Sequence, residues 1–234
     1  MSTEDFDLDN LAVYLHLTPQ QVARLADRGK LPARKVSGHW RFAQAEIHHW
    51  LENRIGLSDE EELVQMENVL QCSAPAEEKS DISIAELLLP EAIAVPLPAR
   101  TRDSVIRSMA ELAAQTGLLW DPDKMADAVR SREEMHPTAL ESGVALLHPR
   151  RPLAAILGQP FLALGITLSG IPFGARMPLT DIFFLICSLE DRGHLRVLAR
   201  LSRLLTLSGF LDSLRAAPDA AAVRRLIVDS EKNL

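Results

Sequence analysis

The sequence predicts a multidomain protein in which a small helical domain with a β-hairpin precedes an α/β sandwich with a mixed sheet. Three observations predict this fold class. The chain has 234 residues, which is enough for two domains. Residues 8–54 carry short helical patterns broken by turns, whereas strand-like and helix-like segments alternate from residue 82 onward. A polar segment at about 72–81 has the composition of a flexible linker between them.

Composition limits the class of protein. Apolar residues make up 47% of the chain, which can fill a core, and the net charge of −7 means that any nucleic-acid site must be a local patch. The two cysteines, Cys72 and Cys187, are far apart, so neither a disulfide framework nor a cysteine zinc site is predicted. The N-terminus is acidic and no apolar run reaches the roughly 20 residues of a membrane span. We therefore expect a cytoplasmic protein that does not enter a membrane.

An acidic segment separates the two predicted domains. We expect a DNA-binding domain at 1–56, an acidic helix and linker at 57–81, and the second domain at 82–234. The cluster from Asp59 to Glu62 is followed by apolar residues at helical spacing, which predicts a helix at about 58–71. The acidic run either favours the helix N-terminus through the helix dipole or belongs to a helix that pairs two protomers.

Helix start and stop signals define the second N-terminal helix. Thr18 is a predicted N-cap, Pro19 suits the first helical position, and Gly29 ends the helix. With Val22 and Leu25 facing inward, the outward side carries Gln20, Gln21, Arg24 and Arg28.

A basic turn follows this helix. Val36, Trp40 and Phe42 alternate around Ser37-Gly38, which predicts a hairpin, or wing. Two short helices and a wing form a winged helix-turn-helix unit. Lysine and arginine neutralise phosphates, and glutamine and arginine read base edges. The alternative is a small solvated helical domain that docks protein. The cations between residues 24 and 41 are Arg24, Arg28, Lys30, Arg34, Lys35 and Arg41.

The N-terminal segment resembles excisionase or MerR-type DNA-binding domains over residues 8–54. The resemblance is carried by "RGKLPARKV", by the wing "GHWRF" and by the closing "WL". It implies that the helix from Thr18 to Arg28 enters the major groove and that Lys35 to Arg41 contact backbone or minor groove. The residues expected to contact DNA are Gln20, Gln21, Arg24, Arg28, Lys35, His39 and Arg41.

The C-terminal segment alternates strands and helices. "AIAVPLPA" is a predicted strand, and the next two helices are capped by Thr101 and by Asp121 with Pro122. "GVALLH", "FLALGITLS" and "DIFFLICSL" are predicted strands, "GHLRVLARLSRLLTL" is an amphipathic helix, and "GFLDSLRAA" and "DAAAVRRLIVDSE" complete the domain. This order predicts a helix–sheet–helix sandwich.

Three polar residues in this segment are candidates for chemistry. Arg132 lies near the end of a predicted helix, His148 at the end of a strand, and His194 at the start of the amphipathic helix. An imidazole can act as a nucleophile in phosphoryl transfer, and an arginine fork can neutralise the phosphoryl group. Spacing alone equally allows each histidine to have no functional role.

Residues 82–231 resemble the enzyme IIA domain of the phosphotransferase system, of the fructose, mannitol and nitrogen-regulatory type. The resemblance is carried by "ISIAELLLPEAIAVPLPARTRDSVIRSMAELA" and "VRSREEMHPTALESGVALLHP". It implies that His148 is phosphorylated, that Arg132, sixteen residues earlier, and His194 are the other active-site residues, and that Thr138 matches the pattern's threonine. It also implies a phosphoryl donor, the histidine-containing phosphocarrier protein.

The segment departs from the family pattern beside His148. Leu147 replaces a proline, Pro149 replaces a glycine, and Ala139 stands where glycine is preferred. Because proline has no N–H, a backbone donor directly after the histidine is missing. Arg150 and Arg151 either compensate by charge or lie in solvent.

These observations favour a DNA-binding transcription regulator whose enzyme IIA-like domain senses phosphotransferase status by phosphorylation on His148. We expect a homodimer, since DNA sites for small readers are usually paired. No cofactor or metal motif is predicted. The alternatives are a non-catalytic IIA-like interaction module, or a phosphocarrier enzyme in sugar uptake whose N-terminal domain docks protein. Whether the chain is an enzyme stays open.

Overall fold

A computed structural model describes residues 5–15, 17–55, 63–64, 82–174, 178–232 and 234, without the side chain of Asn53. The chain separates into two compact units, Met1–Ile82 and Ser83–Leu234. The acidic helix and linker predicted at 57–81 lie outside the described residues, apart from Leu63 and Val64. Among the described residues, no helix has both the length and the apolar character needed to cross a bilayer.

Within residues 5–55, the described part of the first unit combines three helices with a small antiparallel sheet in which the third strand lies between the first and the second. Its core includes fully buried apolar residues from these three helices and from the third strand, namely Leu11, Val22, Phe42 and Ile47. The elements are β1 (Asp5–Phe6), α1 (Leu8–Tyr14), α2 (Pro19–Asp27), β2 (Arg34–Val36), β3 (His39–Ala43) and α3 (Gln44–Ile55).

Side-chain caps fix the helix starts in this unit. Asp7 caps α1 by accepting a hydrogen bond from the Asn10 N–H at 2.8 Å. Thr18 and Gln21 form a reciprocal capping box at the start of α2, which confirms Thr18 as the N-cap. Strand β1 was not predicted, because two residues are too few to show alternation.

The predicted hairpin is present and its turn has a specific geometry. Ser37 has φ 51° and Gly38 has φ 81°, so both central residues are left-handed. Positive φ at both central residues is the requirement of a type I′ turn, whose twist matches that of the flanking strands. Across the hairpin, Arg34 is paired with Arg41 and Val36 with His39.

The second unit is an α/β domain with a four-stranded sheet. Its order is β4-β6-β7-β5. The elements are α4 (Ile84–Leu87), β4 (Leu88–Ala94), α5 (Arg102–Ala114), α6 (Pro122–Met135), β5 (Val144–Leu147), a 3₁₀ turn (Ala154–Ile156), β6 (Phe161–Ile171), β7 (Thr180–Cys187), α7 (Asp191–Thr206), α8 (Phe210–Arg215) and α9 (Ala220–Glu231).

The sheet is mixed and covered on both faces. Strand β4 is parallel to β6, β6 is antiparallel to β7, and β7 is parallel to β5. Ala145 and Leu147 belong to the core cluster that includes residues of α5 and α6. Val144 and Leu146 alternate with them toward the opposite face and are also buried. The predicted helix–sheet–helix sandwich with a mixed sheet is therefore confirmed.

The turn before β5 is held by an arginine from α8. Gly143 has φ 83°, and its carbonyl accepts hydrogen bonds from the N–H groups of Asp181 at 3.0 Å and Ile182 at 3.3 Å. Arg215 donates from Nε to Asp181 at 2.8 Å and from Nη2 to the Ser142 carbonyl at 2.7 Å. The start of β5 is thus fixed to β7 and α8 by backbone and side chain together.

We predict that Gly143→Ala destabilises the second unit by about 1–3 kcal/mol. An L residue is strained at this positive φ, and the new Cβ would lie 2.9 Å from Nη2 of Arg215 and 3.2 Å from the Leu179 carbonyl oxygen. The measurement is urea unfolding followed by methyl NMR signals of the second unit.

Gly117→Ala is the matched control, because Gly117 has φ 71° and no atom within 4 Å of the place that a Cβ would take. Gly117→Ala puts an L residue at a positive φ but brings its Cβ close to no other atom. It should therefore lose less stability than Gly143→Ala. A Gly143→Ala protein as stable as the unsubstituted one would refute the prediction.

Candidate functional site

Parallel pairing brings the two candidate histidines together. Strand β5 runs parallel to β7, with Leu147 paired to Leu185, so both strands end at the same edge of the sheet. His148 directly follows β5, and His194 lies in the first turn of α7, a few residues after β7. Their ring centroids are 4.8 Å apart with an interplanar angle of 52°. Both side chains are buried, with relative exposures of 2% and 6%.

The backbone defines the tautomer of His148. Nδ1 lies 2.8 Å from the carbonyl oxygen of Leu146. A carbonyl oxygen can only accept, so Nδ1 carries the proton in this geometry and the neutral ring has its lone pair on Nε2. His194 is oriented by a longer contact, in which its Nδ1 lies 3.5 Å from Oγ of Ser188.

Arg132 lies in the last turn of α6 and is 4% exposed. Its Nη1 donates a hydrogen bond to the carbonyl of His136, in the loop that leads from α6 to β5. The guanidinium is therefore held against the loop that flanks the strand ending at His148. Thr138, the residue matched to the family's threonine, lies in the same loop, and its carbonyl accepts from the Leu146 N–H at 3.4 Å.

A buried carboxylate accompanies these residues. Glu133 is 1% exposed, and both of its carboxylate oxygens accept from the Thr138 N–H at 3.2 Å. Its Oε1 also accepts from the Thr138 hydroxyl. Arg102 at the start of α5 places its Nη2 3.7 Å from Oε2 of Glu133.

Burial dominates the ionisation of Glu133. Desolvation raises the pKa of its carboxyl group, while the hydrogen bonds from Thr138 and the positive charge of Arg102 act to lower it, as would a proton on His148. Burial therefore outweighs the hydrogen bonds and the neighbouring positive charge.

Sequence reasoning did not identify Glu133, although a signal exists. Glu133 follows Val129 at i+4, which is the spacing of the buried stripe of α6. A charged residue on that stripe must find partners, and this could have singled it out.

The residues that depart from the family pattern occupy different environments. Leu147 is fully buried as the last residue of β5, and Pro149 is also buried. Arg150 and Arg151 are both exposed. The backbone after His148 therefore offers no N–H at Pro149, while two cations lie within three residues of the ring.

In the first unit, the residues expected on the recognition helix are exposed on α2 and its C-cap. They are Gln20, Gln21, Arg24 and Arg28. The side chain of Gln21 has a second role, because its Oε1 accepts from the Thr18 N–H at 2.8 Å. Gln21 therefore keeps only its amide NH₂ for a contact outside the domain.

The wing is attached to the end of α2 through a lysine. Lys35 Nζ lies 4.0 Å from the Asp27 carboxylate and 4.5 Å from the centre of the Trp40 ring. His39 is exposed and Arg41 is half-buried. Arg34, which was not among the expected DNA contacts, donates to the carboxylate of Asp5. Lys35 is thus the contact between the wing and the last residue of α2 that the ion pair provides.

Two family models match the chain. Residues 86–230 match the family described as phosphoenolpyruvate-dependent sugar phosphotransferase system, EIIA 2. Residues 6–55 match a helix-turn-helix domain. The helix-turn-helix and enzyme IIA resemblances stated from the sequence are confirmed.

Among curated proteins, the chain is 32% identical over 144 residues to the nitrogen regulatory protein of Bradyrhizobium diazoefficiens, covering 60% of this chain and 91% of the relative. It is 25% identical over 155 residues to the nitrogen regulatory protein of Pseudomonas aeruginosa, covering 63% of this chain and 96% of the relative.

A solved structure with the same fold is nitrogen regulatory protein IIA-Ntr from Neisseria meningitidis, with a TM-score of 0.54, 22% identity, and coverage of 62% of this chain and 98% of that chain. The family model covers more than half of the sequence. The chain therefore belongs to the phosphoenolpyruvate-dependent sugar phosphotransferase system EIIA 2 family, and it carries a helix-turn-helix domain ahead of the EIIA domain.

Proposed function

We propose that this chain is a DNA-binding transcription regulator whose EIIA domain accepts a phosphoryl group on His148 and thereby senses the state of the phosphotransferase system. The observation that carries the proposal is the buried pair of imidazoles, 4.8 Å apart, in which His148 has its lone pair on Nε2. Membership of the EIIA family supports the chemistry, and the helix-turn-helix domain supports the DNA-binding half.

The transfer step needs no proton to leave the acceptor. Nε2 of His148 attacks the phosphorus of a phosphohistidine on the histidine-containing phosphocarrier protein. The new P–Nε2 bond forms as the donor's P–N bond breaks, and the electron pair returns to the donor imidazole. The proton on Nδ1 of His148 stays in its bond to the Leu146 carbonyl throughout.

Side chains around His148 would stabilise the negative charge of the phosphoryl group during its transfer. His194 is close enough to donate to a phosphoryl oxygen, and Arg132 contributes a fixed positive charge from the last turn of α6. Pro149 cannot donate from its backbone, so more of the stabilisation falls on cations. Arg150 and Arg151, which are exposed two and three residues after His148, fit that role.

The DNA-binding half uses the surface formed by α2 and the wing. The exposure of Gln20, Arg24 and Arg28 on α2 and its C-cap supports contacts in the major groove, and that of Lys35 and His39 supports contacts with the backbone or minor groove. A homodimer would present two such surfaces to a paired site. Phosphorylation adds about two negative charges at one end of β5, which changes what that surface of the EIIA domain can bind.

We expect the protein to gain one acid-labile phosphate when incubated with phosphoenolpyruvate, enzyme I and the phosphocarrier. His148→Ala should abolish the gain, because it removes the nucleophile, and His194→Ala should slow it by about 10²-fold, in the range of one lost transition-state donor. Intact-protein mass spectrometry measures both results.

His49→Ala is the control, because His49 is an exposed histidine on α3 in the other unit and should leave phosphorylation unchanged. A protein that gains no phosphate, or a phosphate that survives His148→Ala, would refute the proposal. In that case the non-catalytic interaction module becomes the better description.

Arg24→Ala should weaken binding to a mixed-sequence duplex of about 30 base pairs, or three helical turns. On a duplex that lacks the operator sequence, Arg24 would contact a phosphate, so its loss should also reduce the slope of log affinity against log salt by about 1. Fluorescence anisotropy at several salt concentrations measures both quantities.

The matched control is Arg107→Ala, which removes an exposed arginine from α5 of the other unit and should change neither quantity. If the unsubstituted protein shows no affinity for DNA even at low salt, the DNA-binding half of the proposal is wrong. The N-terminal domain would then be a protein-docking module beside a phosphocarrier.

A further inference from the structure

Glu133 is an ionisable residue whose side chain has no exposed surface, in the domain that carries His148. Placing a carboxylate in a protein interior costs free energy, and a buried ion pair is often no more stabilising than apolar residues of the same volume. The burial of Glu133 is therefore weak evidence that it stabilises the fold. The hydrogen bonds that its carboxylate accepts say more about its role.

A chain of hydrogen bonds leads from Glu133 to the imidazole of His148. The carboxylate accepts from the N–H and the hydroxyl of Thr138. The Thr138 carbonyl accepts from the Leu146 N–H at 3.4 Å, and the Leu146 carbonyl accepts from Nδ1 of His148 at 2.8 Å. Thr138 and Leu146 each donate to the previous acceptor of this chain and accept the next hydrogen bond through their backbone carbonyl oxygen.

The same segment is held along β5 by two further contacts. Ala139 forms a bridge with Ala145, and the Leu140 N–H donates to the Val144 carbonyl at 2.8 Å. Thr138 is the residue of this segment nearest the end of β5 that carries His148. Glu133 therefore anchors the segment at the point where it meets the histidine.

We propose that Glu133 is a positioning residue for His148, which holds Thr138 against β5 and so keeps the Leu146 carbonyl in place to fix the imidazole as the Nδ1–H tautomer. The consequence for chemistry is that Nε2 is kept as the nucleophile. This inference rests on the proposed phosphorylation of His148, although the tautomer can be observed without it.

Glu133 also orients a cation. Arg102 lies 3.7 Å from the carboxylate, and its guanidinium lies 5.7 Å from the centre of the Phe173 ring. One buried side chain thus sets the position of a backbone segment and of an arginine beside it.

The conservative variant Glu133→Gln should fold. Burial raises the pKa of Glu133, so folding favours the neutral acid over the carboxylate. The stability that the neutral acid contributes is lost as the pH rises through the raised pKa. A glutamine has the same shape and does not ionise, so its folded state does not lose stability in this way. A reduced function of the variant would therefore not reflect a weaker fold.

The test uses the full-length protein labelled with ¹⁵N-histidine, compared with Glu133→Gln and Thr138→Val. The ¹⁵N shifts of the ring at alkaline pH give the tautomer populations of His148. We expect the unsubstituted protein to hold mainly the Nδ1–H form. Glu133→Gln keeps one acceptor oxygen for Thr138 but loses the second oxygen and the negative charge, and Thr138→Val loses the hydroxyl donor. Both variants should therefore shift measurably toward Nε2–H. The turnover rate for phosphorylation should fall by about tenfold, with the KM for the phosphocarrier unchanged.

Glu134→Gln is the matched control, because it removes the same charge one residue along α6 from an exposed position. It should leave both the tautomer and the rate as they are. Unchanged tautomer populations in Glu133→Gln and Thr138→Val would overturn the inference, whatever the rates. Shifted populations in a protein that accepts no phosphate would support the positioning role and refute the proposed phosphorylation separately.

Discussion

The parallel pairing of β5 with β7 is the constraint on which the histidine site depends. Because Leu147 is in register with Leu185, the residue after β5 and the helix after β7 start from the same edge of the sheet. A shift of one residue would turn His148 toward the other face and separate the two rings. The Gly143 turn and the Arg215–Asp181 ion pair act to fix this register.

Local signals in the sequence were sufficient for many of the elements. Thr18, Thr101 and Asp121 each cap the helix that follows, and Ser37-Gly38 forms the turn, because caps and turns depend on side chains within a few residues. The order of strands was not predictable in the same way. The strand order depends on contacts between residues far apart in sequence. Caps and turns do not report such contacts, so only the family resemblance bears on the strand order.

The residues of the candidate site also differ in whether the sequence or the structure identified them. The family resemblance assigned active-site roles to His148, His194 and Arg132, whereas spacing alone equally allowed each histidine to have no functional role. Glu133 lies at the spacing of the buried stripe of α6, which the sequence shows, but its contact with Thr138 and the contact of Ser188 with His194 are set by the fold. A residue that acts by holding another leaves little trace in a sequence pattern, because its partner is set by the fold.

The capping box of α2 links the stability of this helix to the DNA contacts proposed for it. Gln21 closes the helix N-terminus with the oxygen of its amide, and the residue is exposed to solvent. If α2 enters the major groove as proposed, a substitution of Gln21 that changes base preference also loosens the first turn. Substitutions at Gln20 and Arg24 leave the capping box intact, so changes of DNA preference should occur there first, while Gln21 changes slowly or together with Thr18.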